Sequence, residues 1–343
     1  MRFNLSSTAL GSRLLTLSRV INSKNSLPIL DCFLFSVHDG QLTVTASDSE
    51  NVMRGTLNLE NCEGEGDFAV NNHTILDAVK ELPEQPLSLD VDMGEMKIYI
   101  TYQNGSYNFP ILNADEYPKA QTVSENATTI TIDAGILSDN INRSLFATAQ
   151  DELRPVMNGI YFDLQADSLA IVASDGHKLV RNKNFMIKSD IPASFILPKK
   201  PATLLQNVLD KDSGDVVIKF NSSAAEIQFA DGKLSCRLIE GNYPNYNAAI
   251  PNDNPNELTI DRKSLLSAIR RILPFASMSS QLIRFRLEAG MLELSSEDID
   301  FATRAKESLV CEYNGSPLQI GFRGDFFTEI LNSIDTDELN IKL

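Results

Sequence analysis

The sequence predicts an α+β protein made of three tandem copies of one unit, each with two helices and several antiparallel strands. Two observations carry this expectation. A strand–turn–strand statement is made three times, as LTVTASDSENV at 42–52, IVASDGHKLV at 171–180 and LELSSEDIDFA at 292–302. A strand-like opening, Phe3-x-Leu5 followed by Leu10, recurs as Ile130-x-Ile132 with Leu137 and as Leu258-x-Ile260 with Leu265. Self-similarity at a fixed spacing is the mark of a repeat architecture. A chain of 343 residues is long enough for two or three domains, each with its own core.

Each opening strand leads into a helical run, at 9–22, 135–148 and 262–273. Leu10, Leu14 and Leu17 fall at i, i+4 and i+7, one apolar face, and Leu265, Ile269 and Ile272 repeat that spacing. Alternating strands follow, through Phe33, Phe35 and Val37, through Ile160, Phe162 and Leu164, and through Ile283, Phe285 and Leu287. A second helix is expected at 72–82, 199–209 and 323–331, and another strand at 87–91, 216–220 and 339–343. Two more strands close the first two copies, at 97–102 and 107–111 and at 226–229 and 234–239. The third copy has no such pair before position 343 and so reads as lacking its last strands, which predicts roughly 20–30 further residues in the native chain by repeat spacing. Turn-rich links at 113–126 and 247–256 separate the copies, which gives domains at 1–121, 127–251 and 256–343. By repeat logic the helices share one face and the sheets another.

In the middle turn, Asp175-Gly176 supplies an Asx cap and a residue at ease with positive φ, and His177 and Lys178 leave on its shoulder. Ser174, Asp175 and His177 tempt a hydrolase reading, but they flank one turn and no GxSxG elbow accompanies them. Four cysteines lie far apart without a CxxC, and three histidines share no ligand spacing, so buried thiols and no metal or cofactor are expected. No apolar run approaches the roughly 18 residues that span a bilayer, so a cytoplasmic protein without membrane partners is expected.

The net charge is −16, which by itself argues against nucleic acid. Its distribution argues otherwise. The helical segments and their ends carry Arg13, Arg19, Lys24, Lys80, Arg143, Lys199, Lys200, Arg262, Lys263, Arg270, Arg271 and Arg323 against Asp77, Glu81, Asp139, Asp325 and Glu329. An acidic body with basic helices suits a polyanion held on one side.

The ordered set LPIL (27–30), SDSE (47–50), LNADEYP (112–118), RPVMNGIYF (154–162), ASDGHKL (173–179) and EGNYPNY (240–246) resembles the beta subunit of bacterial DNA polymerase III, the sliding clamps. The resemblance implies a homodimeric ring of six like domains, with helices on the inner face and antiparallel sheets on the outer face. It implies a non-enzymatic processivity factor that encircles double-stranded DNA without reading sequence. Partners implied are the replicative DNA polymerase, the clamp loader and other clamp-binding proteins, held through short linear peptides. By position, Lys24, Lys80, Arg154, Lys199 and Lys200 would face DNA. Met157, Ser174, Gly176, His177, Lys178, Leu179, Pro244, Ala248 and Ala249 would form the peptide pocket. Tyr107 and Phe275 would anchor the dimer. The family also continues beyond position 343 into closing strands and a tail. A scaffold that binds proteins only, and a hydrolase using Ser174 and His177, are the alternatives.

Overall fold

The computed structural model describes residues 1–120, 122–124, 127–151, 153–209 and 214–343. Positions 121, 125 and 126 of the expected first link lie outside the described residues. The chain divides into two compact units, Met1–Tyr243 and Pro244–Leu343.

Six helices are described: α1 (Ser7–Ser18), α2 (Asn72–Val79), α3 (Ala134–Leu145), α4 (Lys199–Leu209), α5 (Arg262–Ile272) and α6 (Gly324–Asn332). Within each repeat the two helices pack on one another. The three leading helices begin alike. Ser6, Asp133 and Asp261 each end a strand, and each side chain accepts from the amide three residues on, at 3.1, 2.9 and 2.7 Å. One polar residue thus stops the strand and satisfies an orphan N–H of the helix. α1 buries Leu10, Leu14 and Leu17, and α5 buries Leu265, Ile269 and Ile272 among others, the faces expected from spacing. α1 ends earlier than expected, so Lys24 lies in a bend beyond it.

Each repeat contains the same four-stranded antiparallel arrangement. In the first the order is Asn51–Asn58, Gln41–Ser47, Cys32–His38, Gly66–Asn71; in the second, Leu179–Asn184, Leu169–Ser174, Gly159–Leu164, Ala193–Pro198. In the third it is Thr303–Val310, Met291–Asp298, Leu282–Glu288, Leu318–Arg323. Inward residues alternate along these strands, with Phe33, Phe35, Ile160, Phe162, Ile283 and Phe285 buried.

The first and second repeats share a nine-stranded sheet. Asn51–Asn58, at the edge of the first repeat's set, pairs antiparallel with Gly232–Arg237 of the second, Gly55 opposite Gly232 and Asn51 opposite Cys236. Backbone bonds extend the seam at both ends, from Thr56 N to Asp231 O and from Arg237 N to Glu50 O. One apolar cluster accordingly runs through both repeats, while the second unit has its own around Leu265, Ile269, Phe285 and Leu294.

All four cysteines are free thiols, and burial pushes Cys236 up to about 12 and Cys32 to about 11, which keeps both unreactive. No helix among the described residues is long and apolar enough to cross a membrane.

Candidate peptide pocket and DNA-facing cations

The three repeated turns have one geometry. Asp48 Oδ1 accepts from Glu50 N and Asn51 N at 3.0 and 2.7 Å. Asp175 Oδ1 accepts from His177 N and Lys178 N, both at 2.9 Å. Asp298 Oδ1 accepts from Asp300 N and Phe301 N at 2.9 and 3.2 Å. Each aspartate caps its own loop, as its type favours.

The turns differ in what surrounds them. Gly176 has φ +88°, and its N–H donates to Ser174 Oγ at 3.1 Å. The positive φ favours glycine there, and a Cβ would lie 2.7 Å from Arg154 Nη1, the mobile end of a side chain that can move aside. Ser49 holds the equivalent position at φ +80°, bonded in the same way to Ser47 Oγ at 3.1 Å. Arg154 therefore lies across the middle turn, with Asp151 3.8 Å from its Nε.

Ser174 Oγ donates to the carbonyl of Lys178 at 2.9 Å, which commits its proton to the turn. The Lys178 side chain is only 8% exposed; it pairs with Asp175 at 3.1 Å and lies over the Phe146 ring. His177 is exposed and Leu179 half-buried at the start of its strand. Met157 is buried in a short 3-10 turn, Pro155–Met157, whose carbonyl accepts from Ala149 N. Pro244, Ala248 and Ala249 are exposed and belong to the second unit.

Tyr243, not singled out from the sequence, stacks on Tyr161 with centroids 4.6 Å apart and planes within 1°. Its hydroxyl is buried near the Ser174 backbone with no hydrogen bond of good geometry among the described residues, and burial raises the phenol to about 12. The signal was available: Tyr243-Pro244 repeats Tyr117-Pro118, and Tyr117 is buried with its hydroxyl on Cys32 O and Thr45 O.

The expected DNA-facing cations fall into distinct settings. Lys24 is exposed. Lys80 is exposed but paired with Asp77 at 2.7 Å. Lys199 is half-buried, and burial followed by the charge of Lys178 lowers its pKa. Lys200 gives its ammonium to three acceptors of the first repeat. Elsewhere on the helices Arg13 pairs with Asp231, Arg271 with Glu307 and Lys263 with Asp337, and Arg262 donates to Thr336 O. Much of the basic character of the helices is thus matched locally.

Tyr107 lies half-buried on Gly105–Pro110, the edge strand of a five-stranded sheet, its ring 5.0 Å from that of Tyr102. Phe275 is 42% exposed at the end of a 3-10 turn, Leu273–Phe275.

Models of the N-terminal, central and C-terminal domains of the DNA polymerase III beta subunit match residues 1–121, 131–245 and 247–343. The chain belongs to the DNA polymerase III beta subunit family. A beta sliding clamp from Pseudomonas aeruginosa is 27% identical over 346 residues, covering 100% of this chain and 93% of that protein. One from Synechococcus elongatus is 25% identical, covering 97% and 90%. Among solved structures, a P. aeruginosa sliding clamp bound to griselimycin superposes with a TM-score of 0.95 at 26% identity, covering 100% of this chain and 92% of that one. The beta subunit from Thermotoga maritima gives 0.89 at 26% identity, covering 99% and 92%. The three tandem repeats are therefore clamp domains of the beta subunit family, α+β with antiparallel sheets.

Proposed function

We propose that this chain is a DNA sliding clamp, a processivity factor that closes as a homodimeric ring around duplex DNA in the cytoplasm and tethers a replicative polymerase. The observation that supports it best is the full-length family match combined with three like domains, each with the same aspartate turn and helix pair. Binding to DNA would be through phosphates and independent of sequence. Lys24, Lys80, Arg154 and Lys199 are the proposed DNA-facing cations, with Lys200 beside them. A few dispersed cations suit a ring that must hold DNA and still slide.

Partner peptides of the polymerase, clamp loader and other clamp-binding proteins would dock against Met157, Ser174, Gly176, His177, Lys178 and Leu179, and the family resemblance assigns Pro244, Ala248 and Ala249 of the second unit to peptide binding as well. Leu179 and the Tyr161–Tyr243 stack, with Met157 buried beneath, would supply apolar surface beside turn backbone, the mixture that holds an apolar anchor and fixes its direction. His177 would shape this surface without proton chemistry. The hydrolase alternative fares poorly, because Ser174 Oγ donates to a carbonyl and not to a base. Tyr107 and Phe275 are the proposed apolar anchors between subunits.

Loading onto nicked circular duplex tests this reading. A clamp stays on the circle through gel filtration and is released when the circle is cut. A scaffold that binds only proteins is not retained on either form.

A further inference from the structure

Two adjacent lysines open α4, and they point to different work. The Lys199 ammonium has no hydrogen bond or ion pair among the described residues. Lys200 Nζ lies 2.6 Å from Val20 O, 2.6 Å from Asn22 Oδ1 and 2.5 Å from Asp48 Oδ2. An ammonium has three protons, so all three are given away. Every acceptor comes from the first clamp domain, whereas Lys200 belongs to the second. Val20 and Asn22 follow the end of α1, and Asp48 is the aspartate of the first repeated turn. The Asp48 side chain is only 5% exposed, and its other oxygen already caps the turn. The helix end, the turn and α4 meet at one nitrogen.

This meeting point stands at the junction where the sheet crosses from one domain to the next. Arg13 of α1 reaches Asp231 at 3.3 Å, and Arg19 reaches Asn207 of α4. Each of those contacts reaches one residue of the other domain, and the Asp231 carboxylate is exposed, whereas Lys200 gathers three acceptors from two segments, one of them the buried Asp48 carboxylate. We infer that Lys200 is a clasp that fixes the angle between the first and second clamp domains and does not touch phosphate. It is a positioning residue, and its effect on DNA runs through ring geometry. In a ring of repeated rigid domains, a small error of angle at each junction decides whether the ends meet. This step rests on the clamp reading.

The acceptor geometry also explains the residue type. Three acceptors drawn from two segments match a compact ammonium with three divergent donors. A guanidinium holds its donors in one plane at the end of a longer arm and does not reproduce that set. Arginine therefore keeps the charge and loses the clasp.

The test uses the full chain and compares Lys200→Met, Lys200→Arg, Lys199→Met, Asp48→Asn and the Lys200→Met/Asp48→Asn double variant. As a clasp, Lys200→Met lowers the melting temperature by about 5 °C, on the scale of roughly 2–4 °C per kcal/mol for a unit this size. Lys200→Arg does not restore it. The losses of Lys200→Met and Asp48→Asn are not additive in the double variant. Amide exchange speeds up at Gly232–Arg237, the seam strand, before it does in Leu179–Asn184. The salt slope of retention on nicked circles is unchanged by Lys200→Met, whereas Lys199→Met, which removes one phosphate-facing charge from each subunit of the dimeric ring, lowers it by up to about 1.8. If Lys200→Met does not fold, Asn22→Ala removes one acceptor and is measured in the same way.

A Lys200→Met protein with wild-type melting and a reduced salt slope overturns the inference, as does full rescue by arginine. Additive losses with Asp48→Asn also overturn it. If the wild-type chain is not retained on circles at all, the clamp reading fails, while the melting and exchange results still decide the clasp.

Discussion

Gly232 lies directly opposite Gly55 in the ladder that joins the first clamp domain to the second. A Cβ on Gly232 would lie 2.2 Å from the carbonyl oxygen of Arg54, and one on Gly55 would lie 2.3 Å from Cδ of Arg13. The two clashes differ in kind, because a backbone carbonyl held in a ladder cannot move aside and the aliphatic stem of an arginine can. Gly232→Ala is expected to destabilise the first unit by about 1–3 kcal/mol, the usual cost of overpacking, and Gly55→Ala by less. Urea unfolding checks the order, and equal midpoints for the two variants would contradict it.

Acid should weaken the same junction. Burial alone would raise the Asp48 carboxyl, but hydrogen bonds from Lys200 and from the side chain and backbone of Asn51 outweigh it and hold the group below its ordinary range. A carboxylate depressed in the folded state contributes stability that is fully present above its unfolded value, about 3.9. That contribution disappears as pH falls from there through the folded value. Melting followed between about pH 6 and pH 3 should therefore show a steeper acid decline for wild type than for Asp48→Asn. Parallel curves would mean that Asp48 does not supply the linkage.

Lys24 and Lys199 are the simplest tests of DNA binding, since neither has an ion pair among the described residues that a substitution would disturb. Lys24→Glu with Lys199→Glu is expected to shorten retention on circular duplex, most at low salt, without changing thermal stability. The effect of each cation is small and screened over about 8–10 Å at ordinary ionic strength. Unchanged retention at about 50 mM salt removes both residues from the DNA path.

For the pocket, Met157→Ala and Leu179→Ala are each expected to weaken a fluorescent polymerase-derived peptide by about tenfold, or roughly 1.4 kcal/mol, within the range for truncating an apolar anchor. Fluorescence anisotropy reads the change directly. His177→Ala should weaken the peptide without removing any turnover, and loss of a measurable hydrolysis in that variant would revive the enzyme alternative.

Phe275→Arg places a charge where an apolar anchor between subunits is proposed, and such a charge is costly once desolvated. Sedimentation should show monomers at micromolar concentration. A stable dimer would take Phe275 out of the interface and leave Tyr107 to be tested alone.

The repeat plan was legible because each domain restates the same periodicities. α4 falls at Lys199–Leu209 as spacing indicates, and the Leu10, Leu14, Leu17 face is buried as drawn. The junction was not legible, because the pairing of Gly55 with Gly232 joins residues far apart in sequence and carries no local pattern. Lys199 and Lys200 look alike in sequence, and only tertiary structure separates them. The basic helices read as one attractive surface, yet Arg13, Lys80 and Arg271 are each matched by a carboxylate. For Arg13 and Arg271 that carboxylate comes from a distant strand or turn, so a count along the helices alone could not find it.

The nine-stranded sheet also bears on how such a molecule could admit DNA. From Thr56 and Asp231 to Glu50 and Arg237, backbone hydrogen bonds stitch the two domains along a whole strand. Parting them would break a row of bonds together, as tearing a weld does, and not release one side chain at a time. The first two domains should therefore travel as a single rigid arm. A gate that opens and shuts in ordinary use has to be hinged somewhere other than this seam.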